Sequence, residues 1–277
     1  MRSNSEHLGL VQEYYDYNTR GFIKYGQGGN QFAIHRAVWA PGVKTREGAM
    51  HYVNSVIAEY CASISAETVY DLGCGIGGSL FYLSTRLSST LIGITISKEQ
   101  AELARRIAEE RNQKIKFIYG DYTERKTWHP KPEGRIAAFA VESFIHLPDP
   151  HLFFNTASSV MKQGDVLIIC DDFLSETRVD KNRSLSDYTE YWHAKNLLTV
   201  EEIKSICSGF SLTQNQDLTQ YLEIGRPRDK IISFAAFFGK LFAANSPWWR
   251  NIIGGNALQK CLRKGLVDYR LLVLQKD

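Results

Sequence analysis

The residues with the clearest capacity for chemistry form a glycine-rich turn after a short apolar run. The segment V-Y-D-L-G-C-G-I-G-G-S-L places Asp71 just before Gly73, Gly75, Gly77 and Gly78. The first, second and fourth of these glycines match G-x-G-x-x-G, the spacing that holds a dinucleotide pyrophosphate in a βαβ unit, although other ligands fit it equally well. Clustered glycines are costly in a core unless the backbone must approach something closely, so the turn predicts a cofactor site.

A second group of reactive side chains follows the fourth predicted strand, where Glu142 and His146 lie four residues apart. On a helical turn this spacing places both side chains on one face. A carboxylate and an imidazole there can stabilise positive charge or move a proton, although a surface salt bridge would leave the same pattern. The paired acids Asp171 and Asp172 have no evident third ligand, and we predict no metal site.

These motifs are separated by alternating strands and helices, which predicts a Rossmann-like, doubly wound and mostly parallel α/β sheet of seven strands. The predicted strands are the run before the glycines, S-T-L-I-G-I-T-I, Ile115 to Tyr119, Ile136 to Val141, Val166 to Cys170, F-S-L-T-Q-N-Q-D-L and V-D-Y-R-L-L-V-L. Ser97 is predicted to cap the helix after the second strand, with Gln100 as in a capping box. In such sheets ligands bind beyond the carboxyl ends of the strands. The side chains predicted at those ends are Asp71, Thr95, Asp121, Glu142 and Asp171.

We interpret the whole chain as a single domain with two appendages. A cofactor-binding core of residues 46–218 and 267–277 carries an N-terminal helical lid, residues 1–45, and a helical insertion between the last two strands, residues 219–266. The glycine-rich run Gly26 to Asn30 predicts a hinge for the lid. The insertion is rich in Phe and Trp, which predicts an apolar tunnel that covers the substrate.

The composition of the 277 residues argues against several other classes of protein. Hydrophobic residues at 44%, charged residues at 23% and a net charge of +3 are typical of a globular domain and give no reason to expect nucleic-acid binding. No apolar stretch approaches the ~20 residues of a membrane span, and M-R-S-N-S-E-H lacks the apolar core of a signal peptide. The five cysteines are scattered and form no C-x-x-C, so we expect a cytoplasmic protein with reduced thiols. Homo-oligomerisation stays open.

The end of the second strand argues against a dinucleotide, although it leaves that alternative open. The strand ends in G-I-T-I-S without the acid that holds the ribose of a dinucleotide, and no Gly-Lys-Ser/Thr closes a phosphate loop. S-adenosylmethionine is the other candidate, because its carboxylate suits a helix N-terminus and its ammonium and sulfonium suit an acceptor such as Asp71. Asp121 could then bind the adenine amino group, and Tyr122 could offer an aromatic face beside the ring.

At this point D-L-G-C-G-I-G-G followed by G-I-T-I-S-K-E-Q resembles class I S-adenosylmethionine-dependent methyltransferases. More narrowly, the chain is similar to the branch that holds cyclopropane fatty acid synthases, sterol and tocopherol C-methyltransferases and prenyl-diphosphate methyltransferases. The likeness covers most of the chain. It includes Y-Y-D-Y-N-T-R-G-F near the start, V-E-S-F-I-H after the fourth strand and L-V-D-Y-R-L-L-V-L at the end.

The resemblance implies roles for individual residues. Thr95 and Gln100 match a Thr and a Gln that the branch uses in place of a ribose-binding acid. Tyr15 and Asp16 match a Tyr-Asp pair that closes over the methionine end of the cofactor. Glu142 matches a Glu that stabilises a carbocation on the methyl acceptor or removes the resulting proton.

We therefore predict a methyltransferase of an apolar, isoprenoid-like small molecule, with carbon as the preferred target atom. The first alternative is an O- or N-methyltransferase of a small hydrophobic natural product, with His146 as the base. The others are a dinucleotide-dependent oxidoreductase and a non-catalytic cofactor-binding module. The predicted cofactor-binding residues are Tyr15, Asp71, Gly73, Gly75, Gly77, Thr95, Gln100, Asp121 and Tyr122, and the predicted catalytic residues are Glu142 and His146.

Overall fold

The computed structural model describes residues 4–25, 35–129, 134–176, 182–194, 196–242 and 246–277. The strands are β1 Thr68–Leu72, β2 Thr90–Thr95, β3 Ile115–Tyr119, β4 Ile136–Val141, β5 Val166–Leu174, β6 Phe210–Asp217 and β7 Val267–Lys276. They form one sheet in the order β3-β2-β1-β4-β5-β7-β6. Strand β7 runs antiparallel to both of its neighbours, and the other neighbouring strands pair in parallel. The predicted doubly wound, mostly parallel sheet is confirmed.

Helices cover both faces of the sheet. They are α1 Asn4–Tyr25, α2 Arg46–Ser63, α3 Gly78–Leu83, α4 Lys98–Glu110, α5 Pro150–Val160, α6 Arg183–Tyr191, α7 Val200–Ile206, α8 Pro227–Phe242 and α9 Pro247–Arg263. The central strands β1, β4 and β5 are apolar along nearly their whole length because both of their faces are buried under helices. Two large buried clusters, one on each face, form the core.

Local capping explains where several helices begin. The side chains of Thr45, Ser97, Asp149 and Thr199 each accept a hydrogen bond from a backbone N–H in the first turn of their helix. At Thr199 the capping box is complete, whereas at Ser97 it is not. The side chain of Gln100 bonds elsewhere and does not return to the cap, so the predicted capping box at α4 was wrong in its second half.

Strand β5 continues four residues beyond the predicted end, to Leu174. Asp171 and Asp172 therefore lie inside the strand, where they pair with Arg270 and Tyr269 of β7, and the prediction of Asp171 at a strand end was wrong. The antiparallel pairing with β7 extends the strand, because β7 continues alongside it over nine residue pairs. Helix α6 was not predicted, and it packs against α9 of the insertion.

The two appendages take different positions. Helix α1 contacts α4 of the core and α9 of the insertion, while the predicted hinge at Gly26 to Asn30 lies outside the described residues. In the insertion, Phe234, Phe237 and Phe238 on α8 face solvent, so the prediction that this segment's aromatic residues line a tunnel was wrong for these three. No helix in the described part of the chain is long and apolar enough to cross a membrane.

Candidate active site

One cavity opens at the carboxyl ends of β1, β2 and β4, beneath helix α1. It brings together ten of the eleven residues predicted for the site, and Gly77 does not line it. The predicted residues on its wall are Tyr15, Asp71, Gly73, Gly75, Thr95, Gln100, Asp121, Tyr122, Glu142 and His146. His35 and Ser143 also line the cavity and were missed. His35 belongs to no motif that the sequence analysis recognised, and within V-E-S-F-I-H only the glutamate and the histidine were given roles.

The glycine turn connects β1 to α3 and has three residues with positive φ, Gly73 at 93°, Gly75 at 54° and Gly77 at 89°. A Cβ on Gly73 would collide with the side chain of Ser143, and one on Gly77 would lie 2.6 Å from the ring of Phe117. Gly77 is therefore required by packing inside the protein, and its predicted contact with the cofactor stays a prediction. Gly73 and Gly75 both combine a left-handed backbone with a place on the cavity wall.

Asp71 supplies a carboxylate at the base of the cavity. The residue is 4% exposed, and its side chain accepts no hydrogen bond from any residue that the structure describes. Burial raises the pKa of Asp71 well above its usual value, since the charged form loses its water. A buried carboxylate without a donor fits a ligand that brings its own cation, as the ammonium and sulfonium of S-adenosylmethionine would.

Thr95 and Gln100 form a polar pair on the next part of the wall. The hydroxyl of Thr95 donates to Oε1 of Gln100 at 2.9 Å, and Nε2 of Gln100 donates to the hydroxyl of Thr19 on α1 at 3.1 Å. Asp16 of α1 accepts a short hydrogen bond from Ser97, the N-cap of α4. The pair predicted to hold the ribose is thus hydrogen-bonded to helix α1 through Gln100.

Asp121 and Tyr122 follow β3 and face the cavity from the opposite side. Oδ1 of Asp121 accepts from the backbone N–H and the hydroxyl of Thr123, both at 2.8 Å, which makes a local turn. Oδ2 accepts no hydrogen bond from the described residues. Tyr122 is nearly buried, and its hydroxyl donates to the backbone oxygen of Ser143 at 3.1 Å. A fixed ring beside a carboxylate with one free oxygen is a suitable place for an adenine.

His146 lies in the 3-10 turn Phe144–His146 after β4 and contacts helix α1 twice. Its Nε2 is 2.9 Å from the hydroxyl of Tyr15, and its backbone oxygen is 3.1 Å from Nε2 of His7. Burial, with the neighbouring His193, lowers the pKa of His146 from its ordinary 6.5 to about 4. Burial also raises the pKa of Tyr15 well above 10, so near neutral pH the pair is a neutral imidazole beside a protonated phenol.

Glu142 occupies the first position after β4 with a φ of 51°, the left-handed region that few residues other than glycine adopt. Such strain costs of the order of 1 kcal/mol and is common at functional sites. Oε1 of Glu142 accepts from the backbone N–H of Arg36 at 2.8 Å and from the hydroxyl of Tyr269 at 3.0 Å. Oε2 accepts no hydrogen bond from a described residue, and Nε of Arg36 lies 3.7 Å from Oε1.

Arg36 connects Glu142 to a network that the sequence analysis did not predict. Its guanidinium makes a bidentate pair with Asp172, at 2.6 and 2.7 Å, and lies over the ring of Tyr269. The hydroxyl of Tyr188 on α6 donates to the same carboxylate at 2.5 Å. Asp172 is therefore fully engaged as a fixed counter-ion.

A second cavity adjoins the first, and His35 and Glu142 line both. Its other walls come from the loop before α2, from Trp192 after α6, and from the insertion. The insertion contributes Leu222, Glu223, Arg228 and Gln259. The wall is mixed, with an indole and a leucine on one part and a guanidinium and an amide on another. Such a space suits a partly apolar molecule with one polar end.

Comparison with known proteins gives a consistent picture. Residues 69–164 match a family model described as a methyltransferase domain. A probable tocopherol O-methyltransferase of Oryza sativa subsp. japonica is 26% identical over 234 residues, 76% of this chain and 60% of the relative. A sterol 24-C-methyltransferase of Aspergillus fumigatus is 25% identical over 253 residues, 88% of this chain and 63% of the relative. The chain thus spans about three fifths of the length of these two relatives.

A solved structure shares the fold over nearly the whole chain. Geranyl diphosphate C-methyltransferase from Streptomyces coelicolor A3(2), in complex with Mg²⁺, geranyl diphosphate and S-adenosyl-L-homocysteine, has a TM-score of 0.69 at 18% identity, with 98% of each chain covered. At this identity the likeness shows the fold, which agrees with the sheet order described above. The domain match, the relatives named as methyltransferases and this fold together support a class I S-adenosylmethionine-dependent methyltransferase.

Proposed function

We propose that the protein transfers a methyl group from S-adenosylmethionine to carbon of an apolar, isoprenoid-like small molecule. The observation that carries this proposal is the position of Glu142 on the wall common to the two cavities. Arg36 and Tyr269 hold one oxygen of its carboxylate, and the other oxygen accepts no hydrogen bond from the described residues. A fixed carboxylate with a free oxygen thus stands between the cofactor space and the space for an acceptor.

This placement matches the needs of methylation at carbon. When bound, the cofactor supplies an electrophilic methyl group, and the protein has to align the acceptor with it. Addition of methyl to one carbon of an alkene leaves positive charge on the other carbon, and loss of an adjacent proton restores a double bond. Glu142 would stabilise the positive charge and then accept that proton, because its carboxylate is close by and needs no reorganisation.

Methylation of oxygen or nitrogen is the second candidate, since the Tyr15–His146 pair lines the cofactor cavity and several relatives are named O-methyltransferases. In that reaction His146 would take the proton of the acceptor hydroxyl or amine. Its pKa of about 4 makes the imidazole a weak base, and its Nε2 already faces the hydroxyl of Tyr15. These properties favour the carbon route.

The second cavity supports an acceptor that is mostly apolar with a polar end. Trp192 and Leu222 offer apolar surface, while Arg228 offers a cation to an oxygen-rich end group. We propose a cytoplasmic location, which the five buried and unpaired cysteines support. A dinucleotide-dependent oxidoreductase is disfavoured, because the carboxyl end of β2 carries Thr95 in place of a ribose-binding acid.

The deciding experiment follows the methyl group. The full chain is incubated with S-adenosylmethionine labelled with ¹³C in its methyl group and with prenyl diphosphates, free prenols and prenylated phenols as acceptors. Mass spectrometry detects the product, and the ¹³C chemical shift distinguishes a methyl on carbon from one on oxygen or nitrogen. We expect a carbon-bound methyl. A label on oxygen would transfer the assignment to the second candidate, and binding of NAD in preference to S-adenosylhomocysteine would overturn the class of reaction.

A further inference from the structure

The inner face of helix α8 is buried against neighbouring helices of the protein. Ala236 is buried in a small cluster with Tyr191 and Ile253. Gly239 lies directly under the indole of Trp249, so closely that a Cβ at this position would collide with the ring. The orientation of α8 on α9 is therefore set by tight packing, and its outer face cannot turn inward.

The outer face of α8 is an apolar ridge, formed by Ile231, Phe234, Phe237 and Phe238. These side chains are between 41% and 72% exposed, although their spacing of three, four and seven residues is the pattern by which a helix buries one face. The rings of Phe234, Phe237 and Phe238 contact one another, with centroids 4.8 and 5.5 Å apart. Trp248 at the start of α9 is 51% exposed. Contiguous exposed apolar surface of this kind marks an interaction site.

A basic groove adjoins the ridge between α6, α8 and α9, and Phe237 belongs to both. Its cations are Arg183, Lys240, Lys260, Arg263 and Lys264. The groove contains one carboxylate, Asp187, which pairs with Lys240 at 2.5 Å. Within the described part of the chain, the four other cations have no ion-pair partner, and they are exposed.

We propose that the ridge and the groove together form a docking surface for an anionic phospholipid bilayer. The ridge enters the boundary between head groups and acyl chains, as the apolar face of an interfacial helix does. The groove holds lipid phosphates, since its excess of positive charge complements the anionic surface. A second copy of the chain fits less well, because two basic grooves brought face to face would repel one another.

The docking surface lies next to the second cavity. Arg228, in the first turn of α8, lines that cavity, and Ile231 of the ridge follows three residues later. A bilayer at the ridge would therefore be within reach of a cavity whose wall is partly apolar. The docking itself rests on the ridge and the groove, and it does not depend on which molecule is methylated.

The test measures partition of the full chain onto sedimented vesicles of phosphatidylcholine, with and without phosphatidylglycerol. Phe234→Ser with Phe237→Ser removes the centre of the ridge, and Lys260→Gln with Arg263→Gln removes two cations of the groove. All four positions are exposed, so the fold should persist, and the thermal unfolding curve of each variant checks this. Leu152→Ser on α5 is the matched control, because Leu152 is an exposed apolar residue of another helix.

We expect the wild type and Leu152→Ser to bind vesicles with phosphatidylglycerol equally, and more tightly than phosphatidylcholine alone. Loss of the two rings should lower partition by at least about tenfold. Loss of the two cations should lower it about 25-fold, at about fivefold per charge, and reduce its dependence on salt. Failure of the wild type to bind, or unchanged binding by the ridge variant, would overturn the proposal. So would a lipid-free dimer that the ridge variant abolishes, because the ridge would then belong to a second copy.

Discussion

Replacement of Glu142 by Gln tests whether a negative charge on the wall common to the two cavities is required for methyl transfer. The amide keeps the shape of the side chain and an oxygen that can accept from the N–H of Arg36 and the hydroxyl of Tyr269. Arg36 retains its bidentate partner Asp172, so its guanidinium stays neutralised. We expect a change in the free energy of unfolding of about 1 kcal/mol or less, since a partly exposed ion pair at 3.7 Å contributes little.

The effect on turnover should be much larger than the effect on stability. A carboxylate about 4 Å from a developing carbocation contributes about 4 kcal/mol at an effective dielectric constant of about 20. A loss of that size corresponds to nearly 1,000-fold in turnover, within the range of about 100- to 1,000-fold found when one preorganised electrostatic group is removed. Affinity for S-adenosylhomocysteine should change little, because the charge acts on the acceptor.

Two further variants separate charge from shape and carbon from heteroatom transfer. Tyr269→Phe removes a hydrogen bond to Glu142 but keeps the charge, so turnover should fall no more than about tenfold. His146→Ala should be the milder variant if methyl goes to carbon and the more severe one if it goes to oxygen or nitrogen. Single-turnover rates and calorimetric affinities for S-adenosylhomocysteine give the ranking. Turnover of Glu142→Gln close to that of the wild type, with normal affinity, would refute the electrostatic argument.

Three other outcomes can be checked with standard measurements. Burial raises the pKa of Asp71, and the ammonium of bound S-adenosylhomocysteine favours the ionised form of this carboxyl, so binding should release a proton and become tighter as pH rises. Calorimetry in two buffers should show this release. Asp71→Asn should abolish it. The pKa of His146 is about 4 when folded against 6.5 when unfolded, so the stability it contributes is complete above pH 6.5 and lost as pH falls towards 4. The complete loss, below pH 4, is about 3 kcal/mol. About 2 kcal/mol of it falls between pH 7 and pH 5, and urea unfolding of His146→Asn should show a difference between these two pH values that is smaller by about this amount. Asp16→Asn with Thr19→Val removes two bonds from α1 to the α4 end and should speed dissociation of S-adenosylhomocysteine about tenfold, whereas Glu13→Gln, exposed on the same helix, should not.

The fold was predictable because its signals are local. Strands β3 and β4 were predicted with their observed ends, since each is a short apolar run between polar turns. The end of β5 was not, because its last four residues are held by pairing with β7, which lies nearly a hundred residues further along the chain. Acids such as Asp171 and Asp172 in a buried strand contradict local propensity, and tertiary partners decide their place.

The candidate site likewise contains some residues that the local sequence could predict and others that it could not. Residues at strand ends, such as Asp71 and Thr95, could be placed from the alternation of elements alone. The packing role of Gly77 could not be predicted, because the ring that requires its missing Cβ comes from Phe117, forty residues away. The role of Arg36 as the partner of Asp172 joins residues 136 positions apart, and no spacing rule reaches that far. The direction in which the aromatic side chains of α8 point depends on Gly239 and Trp249 beneath them.

Helix α1 has a consequence for the timing of the catalytic cycle. Three parts of the protein hydrogen-bond to this helix at the same time. Asp16 and Thr19 bond to the N-terminal end of α4, and the helix also bonds to the turn that holds His146. The hydroxyl of Tyr14 donates to Asn251 on α9. We expect spent S-adenosylhomocysteine to leave the cavity after these contacts have broken, and a fresh donor to be enclosed when they re-form. We therefore expect opening of the helix and product release, rather than bond making, to set the steady-state rate. An initial burst of methylated product, equal to the number of active sites, would be its kinetic signature.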